Sequence, residues 1–477
     1  MSSVSTRRLG IASGLAAMAV SAALAASATA AVPPRYSRAY SQPRIDSKYP
    51  AYGSSVVDAL HYGLTLFWHP KTHRLVGDEA LTIRAARRSP VIPLDFSRAL
   101  AVRSATVNGV KVGTARSGAH RLVIKHAVRL NQRVVIHLAY SGVPRTVPAP
   151  SDRTDMAPLG FTITKNGSAW DMQEPYGAFT WYAVNDQPAD KAFYDMTLRT
   201  VAPMVGVGNG RLVADWTVNG VRTTCFHLVE PAASYLTTVE FGNYVHRYRG
   251  TVDGVPVTTW TKRGSVRQFN LTKPLPRLLR WVTNRLGRYP FPTLNLIVVP
   301  ADDGMETQEA ITMGNTRYDL LPQNLVHEII HQWYGDAVTP NDWKDVWMNE
   351  GMAMYLQQVW MAQKDGLPAG YYVRHDSSWD AFDRRFYGPP GNYLPNKFAQ
   401  SNVYYVPAKM WYTLRGHLGT KRFYRFARKW ITSHEYTSQG RYSLMNWWGK
   451  AAAHDLHLFF RRWLNNPKQD PKWSTGF

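Results

Sequence analysis

Two histidines and a glutamate near the middle of the chain have the types and the spacing of a catalytic metal site. His327 and His331 are four residues apart, and Glu328 directly follows the first of them. In an α-helix, residues four apart share one face, so both imidazoles can bind one metal ion while Glu328 projects beside it without ligating. Neutral imidazoles suit Zn²⁺, and catalytic zinc sites have three protein ligands and one open position.

A third ligand is predicted at Glu350, which follows His331 after eighteen intervening residues. Residues 347–353 have the pattern of the start of another helix, which could return to the metal. The sequence therefore predicts one zinc ion per chain, held by His327, His331 and Glu350, with Glu328 free to act as a general base. The alternative is two exposed histidines and an unrelated surface glutamate, and the agreement of several motifs argues against it.

These motifs resemble the aminopeptidase N family of zinc aminopeptidases, which also contains the leukotriene-A hydrolases. That family carries H-E-x-x-H, eighteen residues and a glutamate within W-x-N-E-G, as found here at residues 327–351. Its G-A-M-E-N motif is similar to residues 303–307, which implies that Glu306 binds the free α-amine of the substrate. Thr307 stands where the family has asparagine, which puts the hydrogen bond of that side chain in question.

A second signature of the family resembles residues 173–175 and 185–192, and it implies that Glu174 is the other carboxylate that binds the α-amine. Two carboxylates aimed at one ammonium are what a site specific for peptide N-termini needs electrostatically. The two glutamates are predicted to lie in different domains, and only the resemblance brings them together.

The family's V-Y-x-x-G-A motif, which carries its catalytic tyrosine, is similar to residues 403–408, with Pro407 in place of glycine. The resemblance implies that Tyr404 donates a hydrogen bond to the developing oxyanion. Tyr405 is the alternative, and a third interpretation makes both tyrosines core aromatics. Gln357 stands where the family commonly has glutamate, so a neutral amide would orient a ligand histidine with less charge.

The rest of the sequence predicts two domains that position these residues. The first thirty residues, with Arg7 and Arg8, an apolar run and a small-x-small cleavage site, have the pattern of a signal peptide. Residues 31–50 form a lead-in without an assigned fold. In residues 51–248, apolar residues recur at period two, which predicts strands. Asn-Gly pairs at 108, 166, 209 and 219 break this region into short strands. Residues 249–465 are rich in helical patterns, with a buried strand at 294–299, and 466–477 form a tail.

The fold class is therefore multidomain α+β, with an N-terminal mostly β domain before an α-rich catalytic domain. The resemblance implies that the first domain is saddle-like and the second thermolysin-like. The resemblance covers nearly the whole mature chain, without the large C-terminal helical domain of longer family members. A more open cleft than theirs is expected.

Composition limits the other functions. The chain has 477 residues, 45% hydrophobic, which suits large buried cores rather than a disordered or fibrous protein. No segment after the signal is long and apolar enough for a membrane span. The net charge is +23, which allows electrostatic association with an anionic cell envelope, while nucleic acid is not an expected partner. We expect a secreted or cell-envelope protein, exported by the Sec or the Tat route.

The predicted function is an aminopeptidase that acts on peptides with a free N-terminus. Alternatives on the same scaffold are a zinc endopeptidase and an epoxide hydrolase. A further alternative from a different class is a catalytically silent module that binds peptides or the envelope. The two carboxylates expected at the α-amine argue against the first two alternatives, and the intact ligands and base argue against the third.

Overall fold

The computed structural model describes residues 34–156 and 158–468, which fold into two domains. A domain rich in strands precedes a domain rich in helices, so the α+β class predicted from the sequence is confirmed. The predicted signal peptide at 1–30 and most of the predicted tail at 466–477 lie outside the described residues. Among the described residues, no helix is long and apolar enough to cross a membrane.

The N-terminal domain is built on one long sheet whose strands bury alternate side chains. In β1 (Val57–His69), Tyr62, Leu64, Leu66 and Trp68 are buried while the residues between them are partly or fully exposed, as a period of two requires. β1 and β11 (Lys191–Val201) run parallel, and the other neighbours in this sheet are antiparallel. In spatial order the strands are β13 (Arg211–Val218), β14 (Val221–Ala233), β11 (Lys191–Val201), β1 (Val57–His69), β2 (Arg74–Ala85), β8 (Arg133–Gly142), β4 (Leu100–Val107) and β5 (Val110–Lys111).

Two smaller sheets complete this domain, and one of them leads into the site. Strand β10 (Ala169–Met172) ends directly before Gln173 and Glu174, so this sheet fixes the position of Glu174 at the edge of the domain. The smaller sheets contain β3 (Ile92–Asp95), β7 (Arg121–Ile124) and β6 (Thr114–Ser117), and β12 (Val205–Gly208), β15 (Val239–Gly242), β10 (Ala169–Met172) and β9 (Gly160–Ile163).

The second domain begins with a mixed sheet whose edge strand borders the site. Its strands, in spatial order, are β16 (Tyr244–Val252), β17 (Val255–Lys262), β18 (Leu294–Val299), β20 (Ala310–Gly314) and β19 (Gly304–Met305). β18 coincides with the buried strand predicted at 294–299. The boundary predicted between residues 248 and 249 falls inside β16, which pairs with β17 and so belongs to this sheet.

Helices form the remainder of the second domain. They are α1 (Val266–Leu271), α2 (Leu275–Leu286), α3 (Pro322–His331), α4 (Trp347–Lys364), α5 (Tyr371–Asp376), α6 (Asp380–Tyr387), α7 (Ser401–Leu418), α8 (Thr420–His434), α9 (Arg441–Ala452) and α10 (His457–Asn465). A further short pair joins β21 (Val338–Pro340) to β22 (Thr437–Gln439). Proline opens α3 because its fixed φ suits a first helical turn and its missing N–H leaves no donor unpaired there.

Residues 34–50 of the lead-in have a defined structure and contact both domains, although the sequence assigned no fold to the lead-in. Residues 34–39 form a 3₁₀ helix. The buried Asp46 carboxylate accepts a hydrogen bond from the Trp343 backbone N–H at 2.7 Å, and the Tyr49 hydroxyl donates to the Pro395 carbonyl at 2.9 Å. These contacts tie the lead-in to the second domain, where buried polar partners stabilise it.

Helices α4 and α7 approach each other closely at one glycine. A Cβ added to Gly351 would lie 2.3 Å from the Cβ of Pro407, which is far inside van der Waals contact. Gly351 directly follows Glu350 on α4, and Pro407 lies three residues after Tyr404 on α7. The missing side chain therefore sets the distance between two helices that carry predicted site residues.

We expect Gly351→Ala to destabilise the protein by about 1–3 kcal/mol, because overpacking this contact must push α4 and α7 apart. Gly416→Ala is the matched control, since Gly416 is an exposed residue of α7 with no atom near its absent Cβ. That control should be neutral or stabilising by up to about 1 kcal/mol, because alanine favours helix. Urea unfolding followed by tryptophan fluorescence measures both, and a wild-type midpoint for Gly351→Ala would contradict the tight contact.

Candidate active site

The three predicted metal ligands converge between helices α3 and α4. Nε2 of His327 lies 3.3 Å from Oε2 of Glu350, and Nε2 of His331 lies 3.4 Å from the same oxygen. A zinc ion bound tetrahedrally at about 2.0–2.1 Å keeps its donors about 3.3–3.4 Å apart. All three residues are buried. The donor set, its spacing and its burial therefore fit a zinc ion.

Hydrogen bonds to the second ring nitrogens orient both histidines. Nδ1 of His327 lies 2.8 Å from Oε1 of Gln357, and Nδ1 of His331 lies 3.1 Å from the Tyr334 carbonyl oxygen. Because both partners accept hydrogen bonds, each Nδ1 carries the proton and each Nε2 keeps a lone pair for a metal. Gln357, singled out as a departure from the family, thus supplies the acceptor that the His327 ring needs.

Glu328 lies on α3 beside the ligands, against edge strand β19. A Cβ added to Gly304 would lie 2.8 Å from Oε1 of Glu328, so glycine at this position leaves space for the carboxylate. One carboxylate oxygen of Glu328 lies within 4.8 Å of ligand-type atoms of Glu306 and His331. Burial raises the pKa of Glu328 well above its usual value. A nearby cation would oppose that shift and favour the ionised form.

The two predicted amine-binding glutamates meet although they come from different domains. Carboxylate oxygens of Glu174, Glu306 and Glu350 all lie within 4.8 Å of one another. Within the described residues, Oε1 of Glu174 and Oε1 of Glu306 are buried and have no hydrogen-bond partner. Burial raises the pKa of both carboxyls, that of Glu306 to about 7. Unpaired buried carboxylates this close together are a receptor for a cation such as an ammonium group.

Gln332, the residue after the second histidine, positions Glu306. Its Nε2 donates to the Glu306 carbonyl at 2.9 Å, and its Oε1 accepts from the Glu309 N–H at 3.0 Å and from the Tyr289 hydroxyl at 2.9 Å. The end of α3 is thereby clamped to the segment that carries Glu306. The sequence did not predict this role, because it depends on contacts between distant segments.

Both candidate tyrosines border the cleft, and Tyr404 is adjacent to a metal ligand. The ring centroid of Tyr404 lies 6.0 Å from that of His327, and burial raises its pKa well above the usual value. Tyr405 also lines the cleft. The position of Tyr404 beside His327 favours it over Tyr405 as the hydrogen-bond donor.

All predicted site residues line one cleft of about 210 Å³ between the two domains. Arg153 and Asp155 are among the lining residues that the sequence did not single out, and they lie in a loop of the N-terminal domain. That loop carries no motif, so no signal in a single sequence identifies them.

The sequence is similar to known peptidases. The model of the peptidase family M1 domain matches residues 275–463. The chain is 28% identical over 191 residues to aminopeptidase M1-B of Oryza sativa subsp. japonica, covering 36% of this chain and 22% of that protein. It is 24% identical over 321 residues to aminopeptidase N of Acetobacter pasteurianus, covering 62% of this chain and 88% of that protein. The chain thus spans a quarter or less of the plant relatives it matches.

Solved structures show the same architecture. The chain is similar to a variant of an M1 zinc metallopeptidase from Deinococcus radiodurans that was crystallised with a Tyr-Ser-Ala substrate. The TM-score is 0.78 at 22% identity, over 89% of this chain and 98% of that one. At this identity the likeness establishes the shared two-domain fold.

We expect Gln357→Leu to weaken zinc binding by about 10–100-fold, because the Nδ1–H of His327 loses its acceptor. Gln357→Glu should bind zinc more tightly than wild type, since a carboxylate raises the basicity of the ligand imidazole. Gln363→Leu on the same helix is the control, because Gln363 accepts hydrogen bonds from Trp281 and Arg285 and has no role at the metal ligands. Competition with a chelator of known affinity measures all four proteins. Unchanged zinc affinity in Gln357→Leu would show that this hydrogen bond does not support the site.

Proposed function

We propose that this chain, whose residues 275–463 match the peptidase family M1 domain, is a zinc-dependent aminopeptidase that removes N-terminal residues from peptides. The observation that carries this proposal is the pair of buried carboxylates of Glu174 and Glu306 beside the His327, His331 and Glu350 triad. In each of the two carboxylates, Oε1 has no hydrogen-bond partner within the part of the chain that the structure describes. A zinc site alone suits many hydrolases. A cation receptor next to it suits a substrate whose scissile bond lies one residue from a free ammonium group.

His327, His331 and Glu350 would hold one zinc ion per chain. When bound there, zinc supplies Lewis-acid polarisation of the scissile carbonyl and lowers the pKa of water. The protein's own contribution is to hold three donors in a compact, buried arrangement, with both histidine rings fixed through Nδ1.

Glu328 is the proposed general base and acid. Its carboxylate faces the cleft beside the ligand residues without belonging to the metal triad. It accepts a proton from the attacking water and then donates that proton to the leaving amine nitrogen. Gly304 keeps the space that this carboxylate occupies.

Tyr404 is the proposed hydrogen-bond donor to the carbonyl oxygen of the scissile bond as that oxygen gains negative charge. Its place beside His327 supports this role. A phenol with a raised pKa keeps its proton at neutral pH and therefore remains a donor.

Glu174 and Glu306 are the proposed anchors of the substrate's α-ammonium group. The similar Deinococcus radiodurans protein was crystallised with Tyr-Ser-Ala, a substrate with which these anchors are compatible. A peptide without a free ammonium would leave two buried carboxylates unpaired, which costs about 1–3 kcal/mol or more for charged groups.

The proposal includes export, with the protein secreted or held at the cell envelope. Its basis is the sequence pattern of residues 1–30 together with the net charge of +23. Removal of the signal would leave a strongly basic protein that an anionic envelope attracts.

Glu328→Gln should retain zinc and fold but lose turnover by about 10²–10⁴-fold, because the amide cannot accept the proton of the attacking water. Hydrolysis of an aminoacyl-anilide measures turnover, and metal analysis of the same sample measures zinc. Near-normal turnover with zinc bound would exclude Glu328 as the base. A wild-type protein that binds zinc and peptide but turns over neither peptide nor anilide would instead identify a binding module.

We expect a peptide with a free N-terminus to be cleaved at least about 100-fold faster than its N-acetylated form, measured as kcat/KM, because the anchors lose their charged partner. In Glu306→Gln the preference should shrink, mostly through loss of activity on the free peptide. Glu309→Gln is the control, since Glu309 is a buried glutamate three residues away that does not line the cleft. Equal rates on both peptides in the wild type would assign the protein as an endopeptidase.

A further inference from the structure

A segment of the N-terminal domain is hydrogen-bonded to the residues just before the helix that carries Tyr404. The Phe398 N–H donates to the Pro150 carbonyl at 2.9 Å, and the Ser151 hydroxyl donates to the Phe398 carbonyl at 2.7 Å. Lys397 and Asp152 form an ion pair at the same contact. We call residues 150–155 the strap. Helix α7 begins at Ser401, so the strap fixes the backbone immediately before this helix.

Arg153 extends from the strap into the cleft, and each of its five N–H groups has an acceptor. Nε and Nη2 donate to Asp155 at 3.0 and 2.7 Å, and Nη2 also reaches Asp303 at 3.3 Å. Nη1 donates to the Ala399 carbonyl and to the Tyr404 hydroxyl oxygen, both at 3.2 Å. This planar fork is therefore fixed in place, a geometry that a lysine ammonium cannot reproduce.

We infer that Arg153 is a positioning residue for Tyr404, and this inference rests on the proposed function. By donating into a lone pair of the phenol oxygen, Arg153 directs the hydroxyl proton away from itself and toward the cleft. Tyr404 then presents this proton to the oxygen of the scissile carbonyl as charge develops there. The strap of one domain thus sets the direction of a hydrogen-bond donor in the other.

The physical basis is that a phenol hydroxyl has one proton, which it donates to one acceptor at a time. A guanidinium offers no acceptor, so the Tyr404 O–H cannot donate a hydrogen bond to Arg153. A hydrogen bond received by an oxygen also polarises its own O–H, which makes that hydroxyl a stronger donor. Preorganisation of this kind acts on the transition state, where the oxygen of the substrate carries the most negative charge.

If Arg153 only joined neighbouring segments, it would not need its contact with the Tyr404 oxygen. The ion pair of Arg153 with Asp303 already joins the strap to the loop that leads to Glu306, and its pair with Asp155 lies within the strap. The remaining nitrogen, Nη1, is the one that reaches the Tyr404 oxygen, within the cleft that both side chains line. This contact adds nothing to joining the two segments, but it determines the hydroxyl orientation.

A double-mutant cycle on kcat with an aminoacyl-anilide tests the inference. Tyr404→Phe should lower kcat by about 10²–10³-fold, the effect of removing one oxyanion donor, while Tyr405→Phe stays near wild type. Arg153→Met should lower kcat by about 10–100-fold with KM within about twofold, because only the transition state uses the oriented proton. In the Tyr404→Phe background, Arg153→Met should have no further effect on kcat. Arg153→Lys should fall between Arg153→Met and wild type.

Asp152→Asn controls for loosening of the strap, since it removes the pair with Lys397 and leaves Tyr404 untouched. Its kcat should stay within about twofold of wild type. If Arg153→Met lowers kcat equally with and without the Tyr404 hydroxyl, or leaves kcat unchanged, the positioning role is wrong while the proposed function stands. Wild-type protein without anilide hydrolysis overturns the proposed function, and the positioning role with it.

Discussion

The crowding of buried carboxylates in one cleft is the constraint on which the rest of the structure depends. Glu174, Glu306, Glu328 and Glu350 all line this cleft, and ligand atoms of neighbouring pairs lie within 4.8 Å. Buried negative charges at this distance repel one another and lack solvation, so they need cations. The triad of two histidines and Glu350 suits zinc on one side, and Glu174 with Glu306 suits an ammonium group on the other.

The arrangement is held by close packing and by hydrogen bonds from residues that carry no charge. The absent side chain at Gly351 lets α4 meet Pro407 of α7, and the absent side chain at Gly304 leaves room for Glu328. Gln332 joins α3 to the segment of Glu306. Neutral groups are suited to this task, because a further charge would change the balance between the carboxylates and their cations.

The departures from the family pattern have local explanations. Thr307 is fully buried and donates its hydroxyl to the Ala310 carbonyl, so the side chain in the asparagine position is satisfied inside the protein. Pro407, in the glycine position, packs against Gly351. Gln357, in the glutamate position, still accepts a hydrogen bond from His327. Each of the three residues therefore has a contact partner in this structure.

The sequence by itself determined the elements whose chemistry is local in the chain. Histidines four apart on a helix share a face whatever surrounds them, and apolar runs at period two or at helical spacing must be buried. The ligand histidines, the strand at 294–299 and the succession of a β domain and an α-rich domain follow from such patterns. Glu350 was predicted from the helical pattern of residues 347–353, whereas Glu174, Glu306 and Tyr404 were found through motifs, whose meaning comes from resemblance rather than from spacing.

Only the tertiary structure decided which distant groups meet. Glu174 and Glu306 lie 132 positions apart in the numbering, and no local rule brings their carboxylates together. Arg153 lies in a loop without periodicity or motif, yet it contacts Tyr404 across the domain interface. The lead-in around Asp46 had no predicted fold because hydrogen bonds to distant segments hold it, such as the one that Asp46 accepts from the Trp343 N–H. Such contacts depend on the packing of whole domains, which local sequence patterns do not predict.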